Sequence, residues 1–367
     1  MRMRVTHLVP TMFGDDGLFG GGERYPLELA RTLSRHVDCR LVTFGSNRRT
    51  IIDPSGLEIV ILRRLAEARG HIAQPIATGI ARATRQADLV HVHQMRSAPA
   101  RIMALVGAIR RQPVVVTDHG LGGGGWMGLL PRLFSAFLTV SRYSAETLRA
   151  PEFKSWVIYG GADPNLFSPS IGARSGLLFV GRITPHKGIE RLIHALPDDL
   201  PLEVVGTTGH DRQPHEREYP ALLRRLSEGK RVKFSGRVDD DQLPELYRRA
   251  HALVLPSVHD TCYGRKVGIS ELLGLSAIEA MASGTPVICS RVGGLPEVVI
   301  DGQTGFVVEP GDIRGLRSAI ERIVGVPACA ERMGRAARER VLSHFTWEAC
   351  AQRCLAAYES VLGGGAA

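Results

Sequence analysis

The stretch Glu271-Leu-Leu-Gly-Leu-Ser-Ala-Ile-Glu279-Ala-Met-Ala-Ser-Gly284-Thr-Pro-Val-Ile-Cys289 combines a glycine turn, a short helical segment and a β-rich run. We expect the helix to begin near Ser276 and to end at Gly284, because glycine is a common helix terminator. The residues after it predict a strand over Val287 to Ser290. Working outward from this stretch, β-rich runs and helical stretches alternate along the chain, which predicts parallel sheets covered by helices.

The start of this helix also has the chemistry of a ligand site. A helix N-terminus holds a phosphate through its free backbone N–H groups and partial positive charge, and Gly274 allows a close backbone approach. Glu279, about one turn into the helix, can accept hydrogen bonds from both hydroxyls of a ribose, as acidic residues do in dinucleotide folds. Glu271 would then reach the group beyond the phosphates. The alternative is that Ser276 and the glutamates only cap and solvate a surface helix.

Length and composition set the broad class. The chain has 367 residues, and at about 150 residues per domain it predicts two domains. Its 44% hydrophobic and 23% charged residues are typical of a soluble globular protein. No apolar run approaches the roughly 18 residues of a membrane span. The apolar stretch at the N-terminus is too short for a signal peptide and reads as a first strand, so we expect a cytoplasmic protein.

The charge and the cysteines limit the classes of ligand and partner that the chain can bind. Six cysteines without a CxxC pair argue against a disulfide framework and a structural zinc site. The net charge of +9 is spread along the chain, and the aromatic residues, at 6%, are not interleaved with basic ones as base-stacking surfaces require. We therefore expect an anionic small molecule as partner, with possible peripheral membrane contact, and no nucleic acid.

Two series of strands predict two doubly wound halves that face a cleft. The first half is expected over residues 1–168 and the second over 169–345, joined by a polar stretch that begins at Asn165. A final helix, 346–361, ends in a glycine-rich tail. The predicted strands are Arg4 to Val9, Cys39 to Phe44, Leu57 to Leu62, Leu89 to His93, Pro113 to Asp118, Phe137 to Val140, Leu177 to Gly181, Leu202 to Val205, Val232 to Ser235, Ala252 to Pro256, Val287 to Ser290 and Gly305 to Val308.

Five motifs together resemble a known family. They are Gly20-Gly-Gly-Glu-Arg-Tyr, Phe179-Val-Gly-Arg-Ile-Thr-Pro-His-Lys-Gly-Ile-Glu, Val254-Leu-Pro-Ser, the E-x7-E stretch from Glu271 to Glu279, and Val292-Gly-Gly-Leu-Pro-Glu-Val-Val. In this order and spacing they look like the retaining glycosyltransferases of family 4, which have the GT-B architecture of two Rossmann-like domains. The resemblance covers nearly the whole chain and implies that the final helix crosses back onto the first domain.

The resemblance also implies roles for individual positions. Glu279 matches the ribose-binding glutamate, and Glu271 matches the residue that contacts hydroxyls of the transferred sugar. The remaining matches are Gly274 and Leu275 beside the diphosphate, Arg182 and Lys187 as the cations that neutralise it, Gly20 and Gly21 in a glycine loop that closes on the donor, and His119 near the transferred sugar. No metal and no cofactor are implied.

The implied chemistry agrees with these residue types. Negative charge grows on the diphosphate as it leaves the anomeric carbon, and fixed cations with helix-end amides stabilise that state. The resemblance implies same-face attack, in which the leaving phosphate takes the acceptor proton. The two glutamates are then engaged with donor hydroxyls and do not form a glycosidase pair.

Two stretches depart from the family pattern, and the first of them lies beside the sugar and the acceptor. The segment from His259 to Ser270 is longer than the usual link before Glu271. Ile158-Tyr-Gly-Gly-Ala-Asp stands where the family has Pro-Asn-Gly. The donor sugar and the role of Glu271 therefore depend on a loop that the resemblance does not describe.

Three further motifs allow a second interpretation. Gly120-x-Gly122-x-x-Gly125 fits a dinucleotide fingerprint but lacks the acidic residue about 20 positions on, which favours a loop. Asp239-Asp-Asp241 could bind metal, although acids are common at a helix start. His91 and His93 point the same way from one strand, but with no third ligand at a convincing spacing we expect polar contacts facing the cleft.

The leading hypothesis is a hexosyltransferase that uses a UDP- or GDP-linked sugar and an unknown hydroxyl acceptor. A nucleotide-sugar epimerase or a phosphorylase of the same architecture is the enzymatic alternative, although no motif supports a pyridoxal phosphate lysine. A basic binding protein for nucleic acid or anionic membrane is the non-enzymatic alternative, which salt-sensitive binding without nucleotide competition would favour.

Overall fold

The computed structural model describes residues 2–10, 21–68, 74–119, 128–149, 151–170, 172–208 and 217–363. Its strands in chain order are β1 Arg4–Leu8, β2 Asp38–Gly45, β3 Arg49–Ile52, β4 Glu58–Arg63, β5 Ala66–Glu67, β6 Pro75–Ile76, β7 Leu89–His93, β8 Val114–Thr117, β9 Ala136–Thr139, β10 Ser155–Val157, β11 Leu177–Val180, β12 Leu202–Val205, β13 Val232–Gly236, β14 Ala252–Leu255, β15 Val287–Ser290 and β16 Gly305–Val308. All twelve strands predicted from the sequence are confirmed to within one residue or so at each end, since their apolar residues lie in the cores of the sheets.

The helices alternate with these strands. They are α1 Gly21–Leu33, α2 Ile80–Ala83, α3 Ala98–Arg110, α4 Arg142–Leu148, α5 Ile189–Ala195, α6 Tyr219–Leu226, α7 Leu243–Arg249, α8 Leu275–Ala282, α9 Leu295–Val298, α10 Ile313–Gly325, α11 Pro327–His344 and α12 Trp347–Gly363. Within the described part of the chain, no helix is both long and apolar enough to cross a bilayer.

The chain folds as two compact units. Unit 1 comprises Met1–Gly160 with Trp347–Ala367, so it includes α12, and unit 2 comprises Gly161–Thr346. The domain limits at residues 168 and 345, which come from the sequence, stay predictions.

Unit 1 is built on an eight-stranded sheet in the order β10-β9-β8-β7-β1-β2-β4-β3. Its strand pairs are parallel except at one edge, where β3 runs antiparallel to β4. The prediction of purely parallel sheets is wrong at this edge: all four residues of β3 are exposed, and Arg49 and Thr50 lack the apolar pattern of a buried strand. The chain order reverses between β1 and β7, so their carboxyl ends form the switch point of this sheet.

Unit 2 is built on a six-stranded, fully parallel sheet in the order β13-β12-β11-β14-β15-β16. This is the order of a Rossmann-type doubly wound sheet, with helices between successive strands. The chain order reverses between β11 and β14. In sheets of this kind ligands bind at the carboxyl ends of the strands at that point, which directs attention to the loops after Val180 and Leu255.

Candidate functional site

Helix α8 in unit 2 starts at the glycine that the sequence singled out. Gly274 is the residue before the helix, with a φ of 92°, and Leu275 is the first helical residue. A Cβ on Gly274 would lie 2.6 Å from Leu295 Cδ2, and the φ of 92° is one that other residues rarely adopt, so this turn favours glycine. The first turn of an α-helix leaves N–H groups without acceptors in the helix, so this turn can hold an anion.

Glu279 lies one turn further into α8 and is nearly buried, with 5% of its surface exposed. The hydroxyl of Tyr247, from α7, donates a hydrogen bond of 2.9 Å to Glu279 Oε2. Tyr247 is itself buried and packs edge-on against Phe167. The carboxylate is therefore held in a fixed orientation at the start of the helix, as a hydrogen-bonding partner for a ligand requires.

Glu271 and Lys187 form an ion pair in unit 2. Lys187 lies in a 3-10 turn, Pro185–Lys187, after β11, and Glu271 lies in the loop after β14. Each side chain is only 12% exposed. Ser257 donates a second hydrogen bond, of 3.1 Å, to Glu271 Oε1. The fold thus brings together two predicted site residues that are 84 positions apart in the chain.

The backbone of Glu271 is fixed by a second glycine. Gly293 has a φ of 59°, and a Cβ on it would lie 1.7 Å from the carbonyl oxygen of Glu271. Both ends of the loop 271–274 therefore rest on the segment 293–295, at Gly293 and Leu295. The motif Val292-Gly-Gly-Leu was recognisable in the sequence, but its task of supporting Glu271 was not.

Arg182 follows β11 and is exposed. Its charge acts on His186, which is buried beside Lys187. Burial first, and then the charges of Lys187, Arg182 and Arg265, lower the pKa of His186 to about 3. His186 is therefore neutral, so the charge at this end of β11 comes from lysine and arginine, the side chains that bind phosphates.

The long segment before Glu271 forms an ordered loop that is attached to the same place. The carbonyl oxygen of His186 accepts hydrogen bonds from Val258 N at 2.9 Å and from Ser270 Oγ at 3.1 Å. Between these anchors a β-bridge joins Asp260 to Lys266. The loop therefore begins and ends at the turn that carries Lys187, and it brings the charge of Arg265 towards His186.

Two of the predicted site residues belong to unit 1, and a third lies outside the described residues. Gly20 is among the residues that are not described, and Gly21 is the first residue of α1. His119 follows β8, with its ring 5.0 Å from that of Tyr25 and 6.0 Å from that of His93. Burial lowers the pKa of His119 to about 4, so it is neutral at physiological pH. Its Nε2 has no hydrogen-bond partner in the part of the chain that the structure describes.

The interpretation of His91 and His93 as cleft-facing contacts is wrong. Both are buried in unit 1, with 0% and 1% of their surface exposed, because Tyr358 of α12 covers that face of the sheet. His7, on the adjacent strand β1, joins them, and one ring nitrogen of each residue lies within 4.8 Å of those of the other two. This third histidine has no signature in the sequence, because strand pairing, not spacing along the chain, brings it beside the other two.

Of the two remaining motifs, the structure describes only one. Asp239 to Asp241 are exposed just before α7, at the helix start that the sequence indicated. Gly120 to Gly125 lie outside the described residues. Sequence reasoning missed Tyr247, and it quoted Ser257 and Gly293 within motifs without a supporting role, since a supporting hydrogen bond or a backbone contact has no signature in a single sequence.

Two family profiles match consecutive parts of the chain. The profile described as "Glycosyltransferase Family 4" matches residues 19–166, and the profile described as "Glycosyl transferases group 1" matches residues 170–340. The chain belongs to the family 4 glycosyltransferases. The second match covers every predicted donor-site residue of unit 2, and the first covers Gly20, Gly21 and His119.

Known proteins agree with this family. The glycogen synthase of Mycobacterium tuberculosis is 39% identical over 179 residues, which cover 48% of this chain and 40% of that protein. The chain spans about half the length of the first curated relatives it matches.

Solved structures show the GT-B fold. Sucrose-phosphate synthase from Thermosynechococcus elongatus is 25% identical, with a TM-score of 0.74 over 99% of this chain and 100% of that one. Anabaena HepE, solved in complex with UDP-glucose, is 19% identical, with a TM-score of 0.77 over 98% of this chain and 100% of that one. The α/β fold with two Rossmann-like halves that the sequence predicts is thereby confirmed.

Proposed function

We propose that this glycosyltransferase moves a hexose, with retention, from a nucleoside diphosphate sugar to a hydroxyl acceptor. The observation that carries the proposal is the arrangement in unit 2 at the start of α8. There a helix N-terminus, the pair of Lys187 and Glu271, and the oriented carboxylate of Glu279 lie around the switch point of a Rossmann-type sheet. This combination provides a site for a phosphate, a cation for it and hydrogen-bond acceptors for sugar hydroxyls.

Each residue takes one part of the donor. Glu279 accepts hydrogen bonds from the ribose hydroxyls, held for this by Tyr247. The first turn of α8 at Gly274 and Leu275, with Arg182 and Lys187, binds the diphosphate. Glu271 binds hydroxyls of the transferred sugar. In the donor complex Lys187 shares its charge between Glu271 and the phosphates, so the ion pair keeps a buried cation satisfied until the donor arrives.

The cations act mainly in the transition state. As the bond to the anomeric carbon breaks, charge moves onto the diphosphate, where Lys187, Arg182 and the helix amides stabilise it more than in the ground state. Glu271 accepts from Ser257 and pairs with Lys187, so its carboxylate is engaged and poorly suited to act as a nucleophile. That supports same-face attack, with the leaving phosphate as the base. Neutral His119 serves as a hydrogen-bonding group for the sugar.

The donor is a UDP- or GDP-linked hexose, and the acceptor is a hydroxyl compound of unknown class. The presence of UDP-glucose in the HepE complex is a property of that protein, and it decides only which donor should be tested first.

A thermal shift assay tests the donor site. Wild type, Glu279→Ala and Glu279→Gln are heated with UDP, GDP, ADP and dTDP and with their glucose, mannose and N-acetylglucosamine conjugates. A ligand at about 100 times its dissociation constant stabilises the protein by about 2.7 kcal/mol. We expect one nucleotide to raise the unfolding midpoint of wild type but not that of the Glu279 variants.

Glu190→Gln is the matched control. Glu190 is also a buried glutamate of unit 2 that accepts a hydrogen bond from a tyrosine, Tyr219, but it lies on α5 and not on α8. This variant should keep the nucleotide response of wild type. If no nucleotide stabilises wild type, or if the Glu279 and Glu190 variants lose the response equally, the proposed donor site is wrong.

A further inference from the structure

The buried histidines of unit 1 form a cluster that the transferase chemistry does not use. His7 on β1 lies directly opposite His91 on β7 in the parallel register, and His93 follows on the same face. Their rings are 4.5 to 5.3 Å apart, centre to centre. All three are at most 1% exposed. We propose that His7, His91 and His93 bind a divalent transition-metal ion of the zinc class. This inference does not depend on the proposed function.

The geometry is close to that of a three-histidine metal site. His7 Nδ1 and His93 Nε2 are 3.1 Å apart, and a ring nitrogen of His91 lies within 4.8 Å of both residues' ligand atoms. Nitrogens bound to zinc at about 2.0 to 2.1 Å in a tetrahedron are roughly 3.4 Å apart. The first two nitrogens are therefore close to metal-binding separation, and the third lies within 4.8 Å of them.

The protonation state also fits. All three imidazoles are buried, which disfavours their charged form. Neutral imidazole is the form that binds metal, since its free lone pair makes the bond. Three nitrogen ligands of this kind suit zinc, cobalt, nickel and copper rather than magnesium or calcium.

Outer groups orient two of the rings. His91 Nε2 is 2.8 Å from Thr117 Oγ1, and His7 Nε2 is 3.5 Å from the Tyr358 hydroxyl, so each ring has a partner on its far side. Metal-bound histidines are held in this way in known sites. The Tyr358 hydroxyl is also 2.7 Å from His91 Nδ1, so α12 contacts two of the three rings. A bound ion would tie β1 to β7.

Hydrogen-bond contacts reach every ring nitrogen of the cluster except His93 Nδ1. That atom is buried and has no hydrogen-bond partner among the described residues. A metal ion on His93 Nε2 would replace its contact with His7 Nδ1, and Nδ1 would lie on the far side of the ring from the ion.

Cobalt titration of the full chain tests the site. The protein is produced without a polyhistidine tag, stripped by dialysis against a chelator and titrated with Co²⁺, whose visible absorption reports tetrahedral nitrogen ligands. We expect saturation at one equivalent, bleaching of the band by Zn²⁺, and one equivalent of zinc by elemental analysis after reconstitution. Saturating zinc should raise the unfolding midpoint by roughly 5 to 10 °C at about 100 times the dissociation constant.

Variants assign the ion to these residues. His93→Asn should abolish the cobalt band, and Thr117→Val should weaken the affinity about 10- to 100-fold by freeing the His91 ring. His194→Gln, which removes an exposed histidine of unit 2, should change neither. If wild type shows no saturable band, or if folded His93→Asn binds cobalt like wild type, the proposal is wrong. If His93→Asn fails to fold, the wild-type titration and the affinity of Thr117→Val still show whether the ion binds at these histidines.

Discussion

The two units place different chemistry at the same point of the same kind of sheet. In unit 1 the strands at the switch point, β1 and β7, carry three buried imidazoles whose pKa values are held below the ordinary range. In unit 2 the strands at the switch point, β11 and β14, lead into the Lys187 and Glu271 ion pair and towards the N-terminus of α8. One fold therefore holds a neutral cluster in one unit and fixed charges in the other, and the side chains, not the fold, decide what each can bind.

The difference has a physical origin in solvation. The side chains of Lys187 and Glu271 remain 12% exposed, so they keep their charges at a modest cost and can exchange partners with an anionic ligand. The rings of His7 and His91 have no exposed surface, and the cost of burying a charge keeps them neutral. A diphosphate needs the first environment. Donor binding should therefore be confined to unit 2.

The largest effect is expected from Lys187→Ala. Removal of one fixed donor to a leaving group typically costs about 3 to 4 kcal/mol of barrier, which is roughly a 10²- to 10³-fold loss of turnover. The variant also removes the charged partner of the Glu271 carboxylate, which keeps the hydrogen bond from the neutral Ser257 hydroxyl. Steady-state kinetics with the donor identified by thermal shift measures the loss.

Lys233→Ala is the control for this variant. Lys233 also pairs with a glutamate of unit 2, Glu203, but it is 71% exposed on β13. Exposed pairs contribute about 0 to 1 kcal/mol, so this variant should turn over normally. If Lys187→Ala kept more than a tenth of the wild-type turnover, Lys187 would not be a residue that stabilises the leaving diphosphate.

A second effect should come from Gly293→Ala, which tests whether the support of Glu271 matters. The new Cβ would lie 1.7 Å from the Glu271 carbonyl oxygen, and the alanine would have to adopt a φ of 59°. We expect about 2 to 3 kcal/mol of destabilisation in urea unfolding, together with weaker donor binding, because the loop must shift. Gly229→Ala has a similar φ, 76°, and open space around it, so it isolates the backbone cost, which is about 1 to 2 kcal/mol. Equal effects of the two substitutions would contradict a role for the contact with Glu271.

The fold was more predictable than the contacts within the site. Alternating apolar runs gave the central strands, since burial on both faces leaves a clear pattern in the sequence. The edge strand β3 was missed because its four residues are exposed. The glycine turn and the start of α8 were predicted to within one residue, because a glycine just before a helical pattern indicates a turn with a positive φ.

Contacts between distant residues were beyond the sequence. The pairing of Lys187 with Glu271 and the arrival of His7 beside His91 both depend on which strands are neighbours in the sheets. Likewise, Tyr247 reads as an ordinary helix residue until its hydroxyl is seen 2.9 Å from Glu279. Motifs therefore predicted residue types at the site, and only the fold showed which of them touch.

Acid should weaken unit 2 through His186. Its pKa in the folded state is about 3, lowered first by burial and then by Lys187, Arg182 and Arg265. Because the unfolded chain, with an ordinary pKa near 6.5, takes up the proton more readily, stability falls as the pH drops from about 6.5 towards 3. The slope is at most about 1.4 kcal/mol per pH unit for this one residue.

Urea unfolding at several pH values between 7.5 and 4.5 measures that slope. His186→Asn should show a shallower decline than wild type, whereas exposed His194→Gln should follow wild type. If the stability of wild type and that of His186→Asn fell with pH in parallel, the predicted contribution of His186 to the acid dependence would be wrong.

The smallest effect compares the same chemical change in each unit. Tyr247→Phe removes the hydroxyl that orients Glu279 while keeping the ring that packs against Phe167. Loss of one such hydrogen bond is worth about 1 kcal/mol, or roughly a fivefold weaker nucleotide affinity by calorimetry. Tyr358→Phe removes a buried hydroxyl from the histidine cluster of unit 1 and should leave nucleotide affinity unchanged. If Tyr358→Phe weakened nucleotide binding as much as Tyr247→Phe, donor recognition would not be confined to unit 2, and the division of chemistry between the units would fail.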